Sequence, residues 1–178
     1  GSGWASRVPR RRGWTSGRVR QVLLGLDAGC KKLRSLLGSN ARIMVTADHG
    51  FSNLFPEKQY DLFPDDPLLE LLACPPTGNE ATPVFHVKKG CGQRFQKQFR
   101  ERFGDAFLLL SLQEIDAVRL LGPGPLSSRA KEHLGDFMAV SSEAAALCYF
   151  PDGKKAHHKR ALHSALLPSE MRIPLILA

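Results

Sequence analysis

The chain has 178 residues, 43% of them hydrophobic, with a formal charge of +8. That length and apolar content suit one ordered domain with a sizeable core and perhaps a small subdomain, and exclude a chain disordered along most of its length. No apolar run reaches signal-peptide or membrane-spanning length, so the expectation is a soluble, cytoplasmic protein. The charge points less to nucleic acid than its size suggests. Arg7, Arg10, Arg11, Arg12, Arg18 and Arg20 fall in the first twenty residues without an acidic neighbour, and removing those six leaves +2 for the rest.

Residues 1–17 combine Gly, Ser and Arg with no helical or strand period, and bury too little apolar surface to offset chain entropy. They are expected to form a disordered basic tail, with an arm for nucleic acid or an anionic surface as the functional alternative. From Arg18 the pattern changes. Val19, Val22, Leu23, Leu26, Cys30, Leu33 and Leu37 recur at steps of three and four. This predicts a helix over 18–37 with Gly38 as a left-handed cap.

A short loop then leads into Ile43-Met44-Val45-Thr46, an unbroken apolar run that predicts a strand buried on both faces of a sheet. Helix, loop and strand would make half of a parallel βαβ unit. Residues 51–77 carry five prolines and few periodic apolar positions. They read as a long loop holding one short helix, Pro67 to Ala73.

The next segment has its own rhythm: strand 83–87, amphipathic helix 91–103, strand 106–110, short helix 112–118, a Gly-Pro-Gly-Pro turn, helix 127–134, and strands 137–140 and 144–150 joined as a plausible hairpin. This describes a small α+β subdomain. Phe95 and Phe99 share one helix face and read as core rather than as a platform for stacking bases. After the polar loop Lys154 to Arg160, which includes His157 and His158, the run Ile173 to Leu177 predicts another buried strand. Cys30, Cys74, Cys91 and Cys148 are widely spaced and predict free, mostly buried thiols in a reducing compartment.

Chemistry concentrates at two places. Asp48, His49 and Gly50 follow the predicted strand 43–46 directly, where ligands bind beyond the carboxyl ends of strands in open α/β sheets. A carboxylate beside an imidazole is a donor pair suited to a divalent metal. Gly50 would let the backbone turn tightly and keep bulk off those ligands. His163 is the second anchor, placed shortly before the final strand, so both histidines could face one rim. His86 and His133 read as structural.

Thr46-Ala47-Asp48-His49-Gly50 after a strand, together with His163-x-x-Leu166-x-Pro168-x-Glu170-x-x-Ile173-Pro174-Leu175-Ile176, resembles the C-terminal part of the alkaline phosphatase superfamily. The branch it resembles is the type I phosphodiesterase and nucleotide pyrophosphatase group. Leu134-Gly135-Asp136-Phe137 resembles a stretch of bacterial members of that branch. The resemblance runs from about Arg18 to Ala178 and implies an α/β fold: a partial αβα sandwich with a small α+β insert. The core would comprise 18–66 and 151–178, and the insert 67–150 would form a cap-like subdomain.

The implied activity is metal-dependent hydrolysis of a phosphate-ester small molecule or nucleotide, with nucleic acid and membrane disfavoured as partners. Two divalent ions, zinc or alternatively manganese, would be held in part by Asp48 and His49 at one ion and by His163 at the other. The family's nucleophile, first-strand aspartate and Asp-x-x-x-His element have no counterpart here. Thr46 and Ser52 are hydroxyls at the wrong positions, and the glycine pair common after the last histidine is replaced by Ser164-Ala165. The expectation is therefore a C-terminal fragment. The alternatives are a non-catalytic truncated remnant or a basic module for nucleic acid or anionic surfaces.

Overall fold

The computed structural model describes residues 15–154 and 159–177. Readings that fall on 1–14 and 155–158, namely most of the basic tail and the centre of the Lys154 to Arg160 loop with His157 and His158, lie outside these residues. The chain divides into two compact units, one comprising residues 15–54, 159–163 and 167–177, the other residues 55–154 and 164–166. Among the described residues no helix is long and apolar enough to cross a membrane.

The first unit opens with helix α1, Gly17–Leu37. Ser16 caps it by accepting the Val19 amide, and Gly38 ends it at φ +60 with its N–H on the Arg34 carbonyl. The predicted span holds, but burial does not follow: no residue of α1 is buried, and Leu23 and Leu26 are 58% and 54% exposed. Strand β1, Met44–Thr46, pairs antiparallel with β10, Leu175–Leu177, placing Val45 opposite Ile176.

Both strands were expected to be buried on two faces, and β1 to belong to a parallel unit. Instead they form a two-stranded antiparallel ladder with mostly exposed side chains. Such a ladder keeps two free edges and two open faces, and apolar composition alone cannot close them. Strand β2, Ser52–Asn53, pairs antiparallel with β9, Ala161–Leu162, and the short helix α5, Pro168–Met171, precedes β10.

The second unit is built around aromatic residues. The segment expected to be a loop with one helix contains a 3-10 turn, Pro56–Lys58, strand β3, Gln59–Leu62, and a second 3-10 turn, Leu69–Leu71, where the helix was predicted. Strands β4 (Thr77–Asn79), β5 (Thr82–Phe85), β6 (Phe107–Ser111) and β7 (Phe137–Ser141) form an antiparallel sheet in the order β4-β5-β7-β6. Helix α2, Gly92–Phe103, buries Phe95, Phe99 and Phe103 at i, i+4 and i+8, the stripe its period predicts.

Those rings meet Phe85, Phe107 and Phe137 at centroid separations of 5.1 to 6.4 Å. Phe95 and Phe99 are fully buried, as core residues should be. Strand β8, Ala146–Tyr149, does not form the expected hairpin with β7. It pairs in parallel with β3, while β7 is hydrogen-bonded to β5 on one side and β6 on the other. With both edges of β7 taken, β8 finds a distant partner.

Two short helices complete the unit. Helix α3, Leu112–Ala117, starts with a reciprocal capping box in which Ser111 accepts the Glu114 amide and the Glu114 carboxylate accepts the Ser111 N–H. Helix α4, Ser128–Leu134, ends at Gly135. The Leu134-Gly135-Asp136-Phe137 stretch stitches sheet ends together: the Asp136 N–H donates to the Phe85 carbonyl at 2.9 Å, and its Oδ2 accepts the Val87 N–H at 2.7 Å. Cys74 is exposed and Cys30, Cys91 and Cys148 are half-buried, so the cysteines are less enclosed than expected.

Candidate functional site

The chain runs out of β1 straight into Asp48, His49 and Gly50, and out of β9 straight into His163. These two exits bring the histidines together. The His49 and His163 rings stack at 4.1 Å between centroids with 10° between planes. Phe51 stands edge-on to both, 5.2 Å from His49 and 5.4 Å from His163. Sequence reasoning passed over Phe51. Its signal was an aromatic residue two positions after a histidine that already headed a site.

The proton on His49 can be placed. Its Nδ1 lies 2.8 Å from the Gly50 carbonyl oxygen, which can only accept, so Nδ1 carries the hydrogen and Nε2 presents a lone pair in the neutral ring. Asp48 is 89% exposed at its side chain, and its Oδ2 lies 3.8 Å from that Nε2. Oδ1 of Asp48 accepts the His49 amide at 3.1 Å. Two donors on a tetrahedral ion with bonds of ~2 Å sit about 3.3 Å apart, so Asp48 and His49 are nearly at a chelating separation.

Parallel rings 4.1 Å apart cannot both hold one ion in their planes. If each ring held an ion, His49 and His163 would therefore hold separate ions. The donor types therefore fit, but the number does not. Among the described residues no three His, Cys, Asp or Glu side chains converge on a cation position. A zinc site takes three or four protein donors. Asp48, His49 and His163 do not by themselves make up a metal site, and no catalytic step follows from them.

Gly50 has a reason the sequence did not supply. A Cβ placed there would lie 2.1 Å from the Ser169 carbonyl oxygen and 3.2 Å from the Glu170 Cα. The Gly50 N–H donates to the Glu170 carbonyl at 2.7 Å. The demand is for close backbone approach rather than for a tight turn. Ser52, a hydroxyl excluded as nucleophile by its position, is 5% exposed and shares a 2.6 Å hydrogen bond with Ser169. Ser164, directly after His163, sits at φ +91, a left-handed conformation that favours glycine. This is where the resemblance puts a glycine.

His86 and His133 belong to the second unit. His86 follows β5, and His133 lies in the last turn of α4. The insert has a cleft of its own, about 400 Å³, lined by Lys88, Lys89, Gln96 and Asp136 among others and by none of Asp48, His49 or His163.

Solved structures share this architecture. An inactive variant of murine ectonucleotide pyrophosphatase/phosphodiesterase 5 in complex with AMP superposes with a TM-score of 0.66 at 16% identity, over 96% of this chain and 44% of its own. The human ectonucleotide pyrophosphatase/phosphodiesterase 5 gives 0.71 at 12% identity, over 97% and 44%. Phosphonoacetate hydrolase from Sinorhizobium meliloti 1021 in complex with phosphonoacetate gives 0.65 at 18% identity, over 96% and 43%. No family model matches the chain, and no curated protein sequence matches it. The chain spans less than half the length of the structures it resembles. In fold it is a partial α/β chain, similar to part of the nucleotide pyrophosphatase/phosphodiesterase and phosphonate hydrolase structures.

Proposed function

We propose that this chain carries the C-terminal part of a metal-dependent hydrolase of phosphate esters. In this reading Asp48 and His49 are ligands to one divalent ion and His163 is a ligand to a second, zinc or alternatively manganese. The nucleophile and remaining donors come from sequence outside this chain. The observation that carries the proposal is the stacking of His49 on His163 at 4.1 Å, which joins two distant motifs at the ends of strands. The neighbours' ligands, AMP and phosphonoacetate, support a small phosphorus-containing substrate such as a nucleotide or phosphate ester. The wide spacing of the four cysteines in sequence supports a cytoplasmic location.

Zinc affinity measured by competition with a chromophoric chelator tests the ligand assignment. The expected result is weak binding, in the micromolar range or above because the donor set is partial, lost with Asp48→Ala or His163→Ala. Binding that survives both substitutions unchanged would refute it.

A second reading, a non-catalytic remnant of the same fold, draws on the exposed apolar side chains of α1, β1 and β10. Unsatisfied sheet edges and apolar faces favour self-association. Concentration-dependent oligomers on size exclusion with light scattering, together with no zinc binding, would select this reading. A monomer that binds zinc selects the first.

A further inference from the structure

Once its motifs are assigned, one feature of the first unit remains without a role: the Ser169–Glu170 turn pressed against Gly50. It grips the Asp-His-Gly loop at two points. The Glu170 carbonyl accepts the Gly50 N–H at 2.7 Å, and the Ser169 hydroxyl bonds the nearly buried Ser52 hydroxyl at 2.6 Å. Ser52 is held again by the pairing of β2 with β9, opposite Leu162.

The backbone is therefore fixed just before and just after the peptide that carries the Gly50 carbonyl. That carbonyl is the acceptor of His49 Nδ1. With the Gly50 N–H and the Ser52 hydroxyl both tied, the peptide between them has less freedom to turn its oxygen, and loss of its own bond to His49 in a half-buried place is unfavourable. Gly50 is the residue that lets the clamp close, because any Cβ would lie 2.1 Å from the Ser169 carbonyl oxygen.

We propose that the Ser169–Glu170 turn is a positioning element for His49: by clamping Gly50 and Ser52 it fixes the Gly50 carbonyl, which holds the His49 ring as the Nδ1–H tautomer and aims Nε2 outward. Ser169 and Glu170 touch no reacting group in this role. They act through the backbone, in the way outer-shell partners set tautomer and ring direction for metal-binding histidines. The role rests on the proposed function only for its purpose. The tautomer itself is a property of the chain without metal.

The test is a long-range ¹H–¹⁵N correlation spectrum of the full chain labelled at histidine, recorded without metal under alkaline conditions. A His49→Gln variant assigns the signal. The expected wild-type pattern is Nδ1–H, against the Nε2–H preference of free imidazole. Ser169→Ala should shift His49 towards Nε2–H, Ser169→Thr should restore the wild-type pattern, and Gly50→Ala should give the largest shift. Zinc affinity should fall in the same order.

An Nε2–H pattern in the wild type overturns the proposal. So does an unchanged pattern in Ser169→Ala, and that variant decides the matter if Gly50→Ala does not fold. Absence of zinc binding with the Nδ1–H pattern intact would count against the hydrolase reading and leave the positioning role standing.

Discussion

Asp66 and Arg102 join the turn before the Leu69–Leu71 segment to the last turn of α2. Two hydrogen bonds link them, Nη1 to Oδ1 at 2.7 Å and Nη2 to Oδ2 at 2.5 Å. The Asp66 side chain is 8% exposed and that of Arg102 is 43% exposed. Oδ1 also accepts the Leu68 N–H at 3.0 Å. Burial pushes the Asp66 carboxyl up, but the Arg102 hydrogen bonds, the Leu68 amide and the Arg102 charge together outweigh burial and hold it below the ordinary carboxylate range.

Hydrogen bonds to charged groups contribute roughly 1.5–3 kcal/mol. The solvent exposure of Arg102 reduces that, so the pairwise coupling should be about 1–2 kcal/mol. A double-mutant cycle of Asp66→Asn and Arg102→Met, read by urea unfolding in far-UV circular dichroism, measures it. Methionine retains much of the stem that packs beside the Phe103 ring, over which the guanidinium sits at 4.8 Å.

The folded pKa of Asp66 is depressed, so the stabilisation is fully present above the unfolded carboxylate value of ~3.9 and is lost as pH falls through the lower folded value. The coupling should be flat from pH 7 to 5 and decline below about pH 4. A coupling under ~0.5 kcal/mol at pH 7, or one that persists unchanged to pH 2, would refute the argument.

Phe99 is fully buried against Phe85, Phe95, Phe103 and Phe107, so Phe99→Ala should destabilise the insert by about 3–5 kcal/mol in the same assay. Gly135 adopts φ +59 and ψ −151, a region essentially restricted to glycine, and a Cβ there would lie 2.7 Å from the Phe85 carbonyl oxygen. Gly135→Ala should cost about 2–3 kcal/mol, and a neutral result would contradict the geometry. Ser164→Gly should stabilise: relief of ~1–3 kcal/mol of backbone strain exceeds the ~0.5–1 kcal/mol of added chain entropy, for a net gain of about 1 kcal/mol in urea unfolding. A loss would mean that the Ser164 side chain contributes more than its backbone strains.

What could be read from sequence was whatever depends on local period or on chemistry attached to a strand end. The i, i+4, i+8 stripe of α2 gave its buried face because nearby strands supply the surface it packs on. The same reading of α1 found the helix and missed its environment. A stripe of Leu23, Leu26 and Leu33 states which face prefers burial, but only another part of the molecule can bury it. β3 was hidden because Gln59-Tyr60-Asp61-Leu62 has a single fully apolar, buried side chain and lies among prolines. Its pairing with β8 spans most of the insert, and no local pattern encodes such a partner. At the site, Asp48, His49 and His163 were legible as chemistry. Phe51, Ser169 and the reason for Gly50 were not, because backbone contacts across a fold leave no periodic trace in sequence.

The Leu134-Gly135-Asp136-Phe137 motif shows how resemblance and mechanism separate. It belongs to the same family likeness as the Asp-His-Gly segment, yet what its residues do is explained within the insert. Gly135 takes a conformation closed to other residues, the Asp136 backbone and carboxylate tie the ends of β5 to the start of β7, and Phe137 packs on Phe95 at 5.5 Å. These are demands of strand joining, and they would hold in an insert with no chemistry at all. Asp48 shows the opposite pattern: its carboxylate is 89% exposed, and its Oδ1 accepts its neighbour's amide. Little in packing requires a carboxylate there. A residue that packing requires explains itself by what it touches; Asp48, which packing does not require, is the residue on which the proposed metal-binding role can be tested without disturbing the fold, its Oδ2 lying 3.8 Å from His49 Nε2.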